Sequence, residues 1–266
     1  MNRRSFLSAG ALLATGAWPG RLRAQGNGKG ENFTFLAVND LHFKEDACAP
    51  WFEKVVAAMK LSAPDAQFCL IGGDLADEGK EFQLAGARAA FEKLGLPLYA
   101  TPGNHDHLTD TDRTAYEKHF PGQSNQFFTH RGWQFVGLDS SEGTRYEKTK
   151  IQPATFDWLG TNLPKLSKAA PTVIFTHFPL GPGVTYRPSN ADALLEKFLE
   201  FNLQATLSGH WHGFTEKKLH NSTLTTNRCC SRVRGNHDGT KEKGWFVCET
   251  KDGALTRRFV EIPGKE

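Results

Sequence analysis

The 266-residue chain carries 32 basic and 29 acidic side chains, a formal net charge of +3, and 39% of it is hydrophobic. That length suits one domain at the long end of the usual range, large enough to bury a core without staples. No basic face is clustered enough for a nucleic-acid binder, and no internal repeat or low-complexity tract interrupts the chain.

The chain opens on Arg3-Arg4-Ser5-Phe6-Leu7, an Ala/Gly-rich apolar stretch through Trp18, and Leu22-Arg23-Ala24. A basic start, a short apolar run and a small residue at a cleavage point have the form of an export signal. The paired arginines resemble the twin-arginine type. The run is too short and too rich in Gly and Ala for a transmembrane helix, and no cysteine near Ala24 offers a lipid anchor. Residues 1–24 are therefore read as a signal peptide for the twin-arginine export machinery. The mature protein is expected to be periplasmic or secreted, with no stable membrane anchor. The segment holds four arginines and no acid, so the remainder carries +3 less four, about −1. Residues 25–32 read as a flexible lead-in and 33–266 as a single domain.

Strand-like apolar runs then alternate with helix-like stretches. Phe33–Val38, Phe68–Ile71, Pro97–Ala100, Thr172–Phe175 and Ala205–Leu207 read as buried strands. Trp51–Leu61 has apolar residues at helical spacing with Pro50 near its start. Gly79–Leu94, Asp110–His119, Pro153–Leu166 and Asn190–Phe201 also read as helices, the last with Ser189 as candidate N-cap. Asp139–Thr149 reads as a polar loop. Short strands follow at Phe214–Leu219, Ser222–Thr226, Gly244–Glu249 and Leu255–Ile262. βα units followed by antiparallel strands predict an α/β fold, two mixed sheets packed together with helices outside. The five cysteines include no CxxC pair that would suggest a zinc site. They read as small buried hydrophobes, with one disulfide possible in an oxidising compartment.

A short polar motif follows each of the first five strands: Asp40-Leu41-His42, Gly73-Asp74, Gly103-Asn104-His105-Asp106, Thr176-His177 and Gly209-His210-Trp211-His212. Loops at the carboxyl ends of strands in open α/β sheets gather at one edge. Asp40 and His42, alternate residues on such a loop, point the same way and suit one metal. Gly72-Gly73 lets the backbone approach an ion closely, and Asp74 can place one carboxylate between two cations. Asn104 offers an amide oxygen, His105 can serve as acid or base near neutral pH, and Asp106 can orient that imidazole. His210 and His212 present two ring nitrogens on one side. Singly, each motif also has a structural reading: a helix cap at Asp74, a polar turn at 103–106, surface histidines at 210 and 212.

Taken in order, the series D-x-H, G-D, G-N-H-D, H and G-H-x-H resembles the calcineurin-like metallophosphoesterase superfamily from Phe33 to about Phe214. The resemblance implies a four-layer αββα sandwich. It implies one metal held by Asp40, His42, Asp74 and His212, and a second held by Asp74, Asn104, His177 and His210. It further implies hydrolysis of a small phosphorylated substrate by a hydroxide bridging the metals, with His105 as general acid. Mixed histidine and carboxylate donors suit Mn, Fe, Co or Zn. Purple acid phosphatases, a relative, carry a tyrosine three residues after the shared aspartate and lack the first histidine. Here Asp77 and His42 stand at those positions, so the pattern looks more like the cyclic-nucleotide phosphodiesterase branch. Phosphodiesters are the expected substrates; a phosphate-scavenging phosphomonoesterase and a non-catalytic metal-binding module on the same fold are the alternatives.

Gly235-Asn236-His237-Asp238 repeats the third motif without the preceding strand. Set among Arg232, Arg234, Lys241 and Lys243, it reads as a solvated loop rather than one that faces substrate. His107, His119, His130 and His220 read as surface or structural. Specificity is expected in the loops Phe43–Ala49, Leu108–Asp112, Gly181–Pro188 and Val233–Gly244.

Overall fold

The computed structural model describes residues 30–263; the expected signal segment and most of the expected lead-in lie outside them. Its elements in chain order are β1 (Phe33–Val38), α1 (Ala49–Ser62), β2 (Ala66–Gly72), α2 (Glu81–Glu92), β3 (Leu98–Thr101), α3 (Thr114–His119), β4 (Gln126–His130), β5 (Trp133–Leu138), α4 (Pro153–Asn162), β6 (Thr172–Thr176), α5 (Ala191–Glu196), β7 (Leu203–Ser208), β8 (Thr215–Leu219), β9 (Ser222–Thr226), β10 (Gly244–Lys251) and β11 (Ala254–Glu261). Two mixed sheets result, ordered β11-β10-β1-β2-β3 and β4-β5-β6-β7-β9-β8.

Period-two alternation decides the layers. In β1, Phe33, Phe35 and Ala37 point into the layer between the sheets, while Leu36 and Val38 point toward α1 and α2. β2 divides the same way, with Phe68 and Leu70 inward and Cys69 and Ile71 toward the helices. The layer between sheets is dominated by rings: Phe35 stacks on Phe68 at 5.0 Å and meets Phe135 edge-on at 5.3 Å. Both faces of these strands are covered, which is why their sequences read as unbroken apolar runs. On the far side of the second sheet, Leu159 of α4 and Leu194 and Leu195 of α5 complete the fourth layer.

α1 has Pro50 in its first turn and buries Phe52, Val55, Val56 and Met59, one stripe at helical spacing. Several sequence expectations need correction. Gln126–His130 and Trp133–Leu138, which had no strand assigned, form a hairpin around Arg131 (φ 47°) and Gly132 (φ 82°). α3 begins at Thr114 rather than Asp110, because the 109–112 segment is closed into a turn by Leu108 N–H to Asp112 O. α5 ends at Glu196, and Ser189 is not its cap: the Ser189 N–H donates to Thr149 O, and Asn190 takes the cap position. All five cysteines are buried and unpaired. Residues 30–32 meet the β4–β5 turn, where Glu31 N–H donates to Arg131 O at 2.8 Å. Among the described residues no helix is long and apolar enough to cross a membrane.

Candidate metal centre

β1, β2 and β3 are parallel neighbours in one sheet, and β5, β6 and β7 are parallel neighbours in the other. Parallel strands put their carboxyl ends on one edge, so Asp40, His42, Asp74 and Asn104 leave one sheet beside His177, His210 and His212 of the other. The loops after β1 and β2 are joined backbone to backbone: Asp40 N–H donates to Gly73 O at 3.1 Å and His42 N–H to Asp74 O at 2.9 Å.

This edge is strained. Asp40 (φ 54°), His42 (46°), Asp74 (52°), His210 (63°) and His212 (44°) all adopt the left-handed region, at roughly 1–2 kcal/mol per residue. Such conformations persist where the surroundings over-determine them, typically at functional sites. Two glycines make the crowding possible. Gly73 (φ 79°) lies where a Cβ would come 2.6 Å from the His177 ring, and a Cβ at Gly103 would run into the Asp74 carboxylate.

The side chains form two clusters around one carboxylate. Asp74 Oδ2 lies 3.6 Å from His42 Nε2 and 3.2 Å from His177 Nε2. On the first side, His212 Nε2 is 3.1 Å from Asp40 Oδ1 and 3.2 Å from His42 Nε2. On the second, His177 Nε2 is 3.1 Å from His210 Nδ1. Asp40, His42, Asp74 and His212 form one group of potential ligand atoms within 4.8 Å of one another, and Asp74, His177 and His210 form another. Three of the inward-facing imidazoles have their other nitrogen hydrogen-bonded to a carbonyl, and the fourth faces a carboxylate. His177 Nδ1 meets Gly72 O at 2.9 Å, His210 Nε2 meets Tyr146 O at 2.8 Å, His212 Nδ1 meets Gly235 O at 2.9 Å, and His42 Nδ1 faces Asp77 Oδ1 at 3.3 Å. A carbonyl can only accept, so three of the tautomers are fixed with the lone pair aimed inward, the arrangement that orients metal-binding histidines.

Electrostatics divides the same residues. Burial opposes ionisation of Asp74, yet His177, His105 and His42 hold its carboxyl well below the usual range. Asp40 is also held low against its burial, by His212 and His177. Burial disfavours a charged His177, but Asp74 and Asp40 raise its pKa to about 9. His212, buried beside Asp40, is raised well above its ordinary value. Burial pushes His42 down to about 4 and, together with His177, pushes His210 down to about 3. Each cluster thus contains one proton-seeking imidazole and one neutral imidazole, and a cation would compete for the lone pair the proton takes.

Asn104 supplies the strongest local sign that cations belong here. Its Oδ1 is buried with no hydrogen-bond partner, and a buried unpartnered acceptor costs about 1–3 kcal/mol. A neutral oxygen, carboxylates and oriented imidazoles are a donor set that fits transition-metal ions.

Beside the clusters, His105 lines an open cavity of about 670 Å³ together with His42, Asp74, Asn104, His210 and His212. Asp106 does not orient it, contrary to the expectation from the motif. Asp106 Oδ1 accepts from Ala76 N–H and Oδ2 from Gly103 N–H, both at 2.8 Å, so it fastens the turn. Burial and the neighbouring Asp74 charge push the Asp106 carboxyl up to about 7. His105 Nδ1 instead donates to the backbone oxygen of Asp77 at 2.7 Å.

Asp77 is therefore a residue the sequence reading passed over, noting it only where another family has tyrosine. Its buried carboxylate faces His42 and takes Arg234 Nε and Nη2 at 2.7 Å and Lys44 Nζ at 3.3 Å. Burial opposes its charge, but His42 and Arg234 hold it low. The only sequence signal was its place three residues after Asp74, one turn's reach from the same edge.

The 235–238 repeat also needs correction. Its loop is largely exposed as expected, yet it faces the cavity: His237 stacks on His212 at 4.9 Å, and Arg234 and His237 line the wall. His107 lines the cavity too, with Nε2 3.0 Å from Ser141 Oγ. Of the expected specificity loops, Leu108, Tyr186, Arg234 and His237 contribute lining residues, whereas Phe43 is buried in the core.

The profile of the calcineurin-like phosphoesterase family matches residues 33–214. A probable cyclic nucleotide phosphodiesterase of Synechococcus sp. is 27% identical over 202 residues, covering 70% of this chain and 75% of that protein. A 3',5'-cyclic-nucleotide phosphodiesterase of Nostoc sp. is 24% identical over 178 residues, covering 64% and 65%. A dimetal phosphatase from Danio rerio shares the fold at a TM-score of 0.63 and 14% identity, over 86% of this chain and 98% of that one. The chain belongs to the calcineurin-like phosphoesterase family and is a metal-dependent phosphoric ester hydrolase.

Proposed function

We propose that this protein hydrolyses small phosphodiesters with two metal ions, one held by Asp40, His42, Asp74 and His212 and the other by Asp74, Asn104, His177 and His210. The observation that carries the reading is the single Asp74 oxygen lying within 3.6 Å of His42 and 3.2 Å of His177, one carboxylate serving both clusters. Bound in such a pair, two cations activate water and stabilise the charge that develops on a phosphoryl centre. Mn, Fe, Co or Zn suit the donors.

The chain's own contribution to the chemistry centres on His105. With Nδ1–H given to Asp77 O, its Nε2 is left to take up a proton and deliver it to the leaving oxygen. The backbone N–H of His105 donates to Asp74 Oδ1 at 2.9 Å, which ties the acid to the shared carboxylate. The diester reading is supported by the names of the Synechococcus and Nostoc relatives and by a cavity larger than one phosphate needs.

A panel of bis(4-nitrophenyl) phosphate, cyclic nucleotides and 4-nitrophenyl phosphate, assayed with each metal in turn, tests the reading. Faster diester than monoester turnover is expected. The reverse order would make the protein a phosphomonoesterase, and no turnover with any metal would leave a non-catalytic module. The export reading rests on Arg3-Arg4 and Ala24. With both arginines replaced by lysine, the precursor should stay in the cytoplasm on fractionation, and normal export would refute the twin-arginine route.

A further inference from the structure

The loop that joins β9 to β10 is built by its own polar residues. Asn236 Oδ1 accepts from Cys229 N–H at 3.0 Å, and Asn236 Nδ2 donates to Glu242 O at 2.7 Å. The Asp238 carboxylate accepts from Thr240 N–H at 3.0 Å and from Phe214 N–H at 3.3 Å. Ser231 Oγ accepts from the N–H groups of Val233 and Arg234, and Lys243 Nζ donates to the carbonyls of Ser231 and Arg234. Two further bonds fasten the loop to His212: Gly235 O accepts from His212 Nδ1, and His237 N–H donates to His212 O at 3.2 Å. The Gly235-Asn236-His237-Asp238 repeat is thus framework, and it lies beyond the residues 33–214 that match the family.

This framework delivers Arg234 to the cavity. Nε and Nη2 of its guanidinium both meet Asp77 Oδ1 at 2.7 Å, and among the described residues Nη1 has no partner. The side chain remains 41% exposed. Asp77 faces His42 and its carbonyl accepts from His105, so the guanidinium stands on the side of the cavity where the proton donor lies. Neutralising Asp77 does not by itself call for an arginine, since Lys44 Nζ lies 3.3 Å from the other Asp77 oxygen. Among the described residues that line the cavity, Arg234 is the only lysine or arginine. A substrate whose reacting group is an anion therefore meets one fixed cation from the chain itself.

We propose that Arg234 is a catalytic residue of the phosphoryl site, its Nη1 donating to a non-bridging oxygen of the substrate phosphate. This rests on the phosphoester-hydrolase reading above and adds to it a residue outside the family motifs. A guanidinium is planar, always charged and rigid in the directions of its donors, which suits phosphoryl oxygens. Its Nε and Nη2 are already fixed on a buried carboxylate. Little reorganisation is then needed when charge builds on the phosphoryl oxygens, the condition under which such a donor accelerates the reaction.

Titration calorimetry of the metal-loaded protein with inorganic phosphate reads the contact apart from turnover. Arg234→Ala should keep both ions by elemental analysis. It should weaken phosphate by about 10- to 150-fold, the usual loss for a hydrogen bond to a charged group. Its kcat on bis(4-nitrophenyl) phosphate should fall about 10²–10³-fold, as for loss of one donor to a developing oxyanion. Arg234→Lys should recover part of both losses, and added guanidinium ion should rescue part of the Arg234→Ala turnover. If Arg234→Ala fails to fold, Arg234→Gln carries the same comparison. Unchanged phosphate affinity, or loss of an ion together with activity and no rescue by guanidinium, would overturn the proposal and leave Arg234 a counterion of Asp77. Absence of turnover by the wild type would overturn the hydrolase reading instead, with the phosphate titration still deciding the contact.

Discussion

The two ligand clusters share Asp74 and otherwise differ in charge. The first adds a second carboxylate, Asp40, and has a third, Asp77, directly behind His42. The second adds only imidazoles and the neutral oxygen of Asn104. Ligand charge is one of the levers that sets how tightly a protein site holds a cation. The first cluster should therefore retain its ion longer, and the second should exchange more readily. The supporting contacts agree, since Asp40 is itself held by Asn39 Nδ2 and by the His210 N–H at 3.0 Å. Among the described residues, Asn104 Oδ1 has no such partner.

The largest expected effect comes from removing what the clusters share. Asp74→Ala should abolish turnover and leave fewer than two ions per chain by elemental analysis; retention of both would mean the carboxylate does not serve both clusters. His105 belongs to neither metal-ligand set, so His105→Ala should keep both ions. It should lose about 10²–10⁴-fold on an alkyl phosphodiester and much less on a nitrophenyl ester, as general acid catalysis requires. Equal losses on the two substrates would make it a phosphate-positioning group.

Asp77→Asn probes the asymmetry directly. It removes the charge behind His42 while keeping the carbonyl that accepts from His105. Affinity for one ion should fall about 10–100-fold, the usual effect of an outer-shell partner, while the other ion and the leaving-group dependence stay unchanged. A uniform loss of both ions would show that Asp77 acts through the fold of the loop. The smallest effect should come from Asn104→Asp. Wild-type protein should release its ions to a chelator in two phases, and this variant should draw the phases together by slowing the faster one. Unchanged fast release would separate charge count from exchange rate at this site.

Much of this was legible along the chain because the controlling physics is local. Phe33, Phe35 and Ala37 alternating with Leu36 and Val38 mark a strand covered on both faces, and the polar residue after each such run marks the carboxyl edge. The β4–β5 hairpin was not legible from its turn, because Arg131 occupies a left-handed position where Asn or Asp is the usual signal. α5 was overextended because Phe198 and Phe201 continue an apolar spacing that the structure satisfies with turns instead. A carboxylate beside a histidine commonly orients it, yet the Asp106 oxygens accept from the N–H groups of Gly103 and of Ala76, the latter 30 residues away and not stated by the motif.

The sequence by itself determined the donor types, their order and the strands that carry them. Side-chain alternation and turn chemistry act over a few residues, and a sequence records them directly. Only the tertiary structure decided which donors share a cluster. His42 and His212 stand 170 residues apart, and the packing of one sheet on the other brings their rings to 3.2 Å. Asp77 meets His42 and His105 because β1, β2 and β3 lie side by side in one sheet, and the 233–244 loop reaches the cavity as the chain passes from β9 in one sheet to β10 in the other. The meeting of the two sheets comes from burying their apolar faces against each other, a condition that many residues satisfy jointly and no short stretch of sequence states.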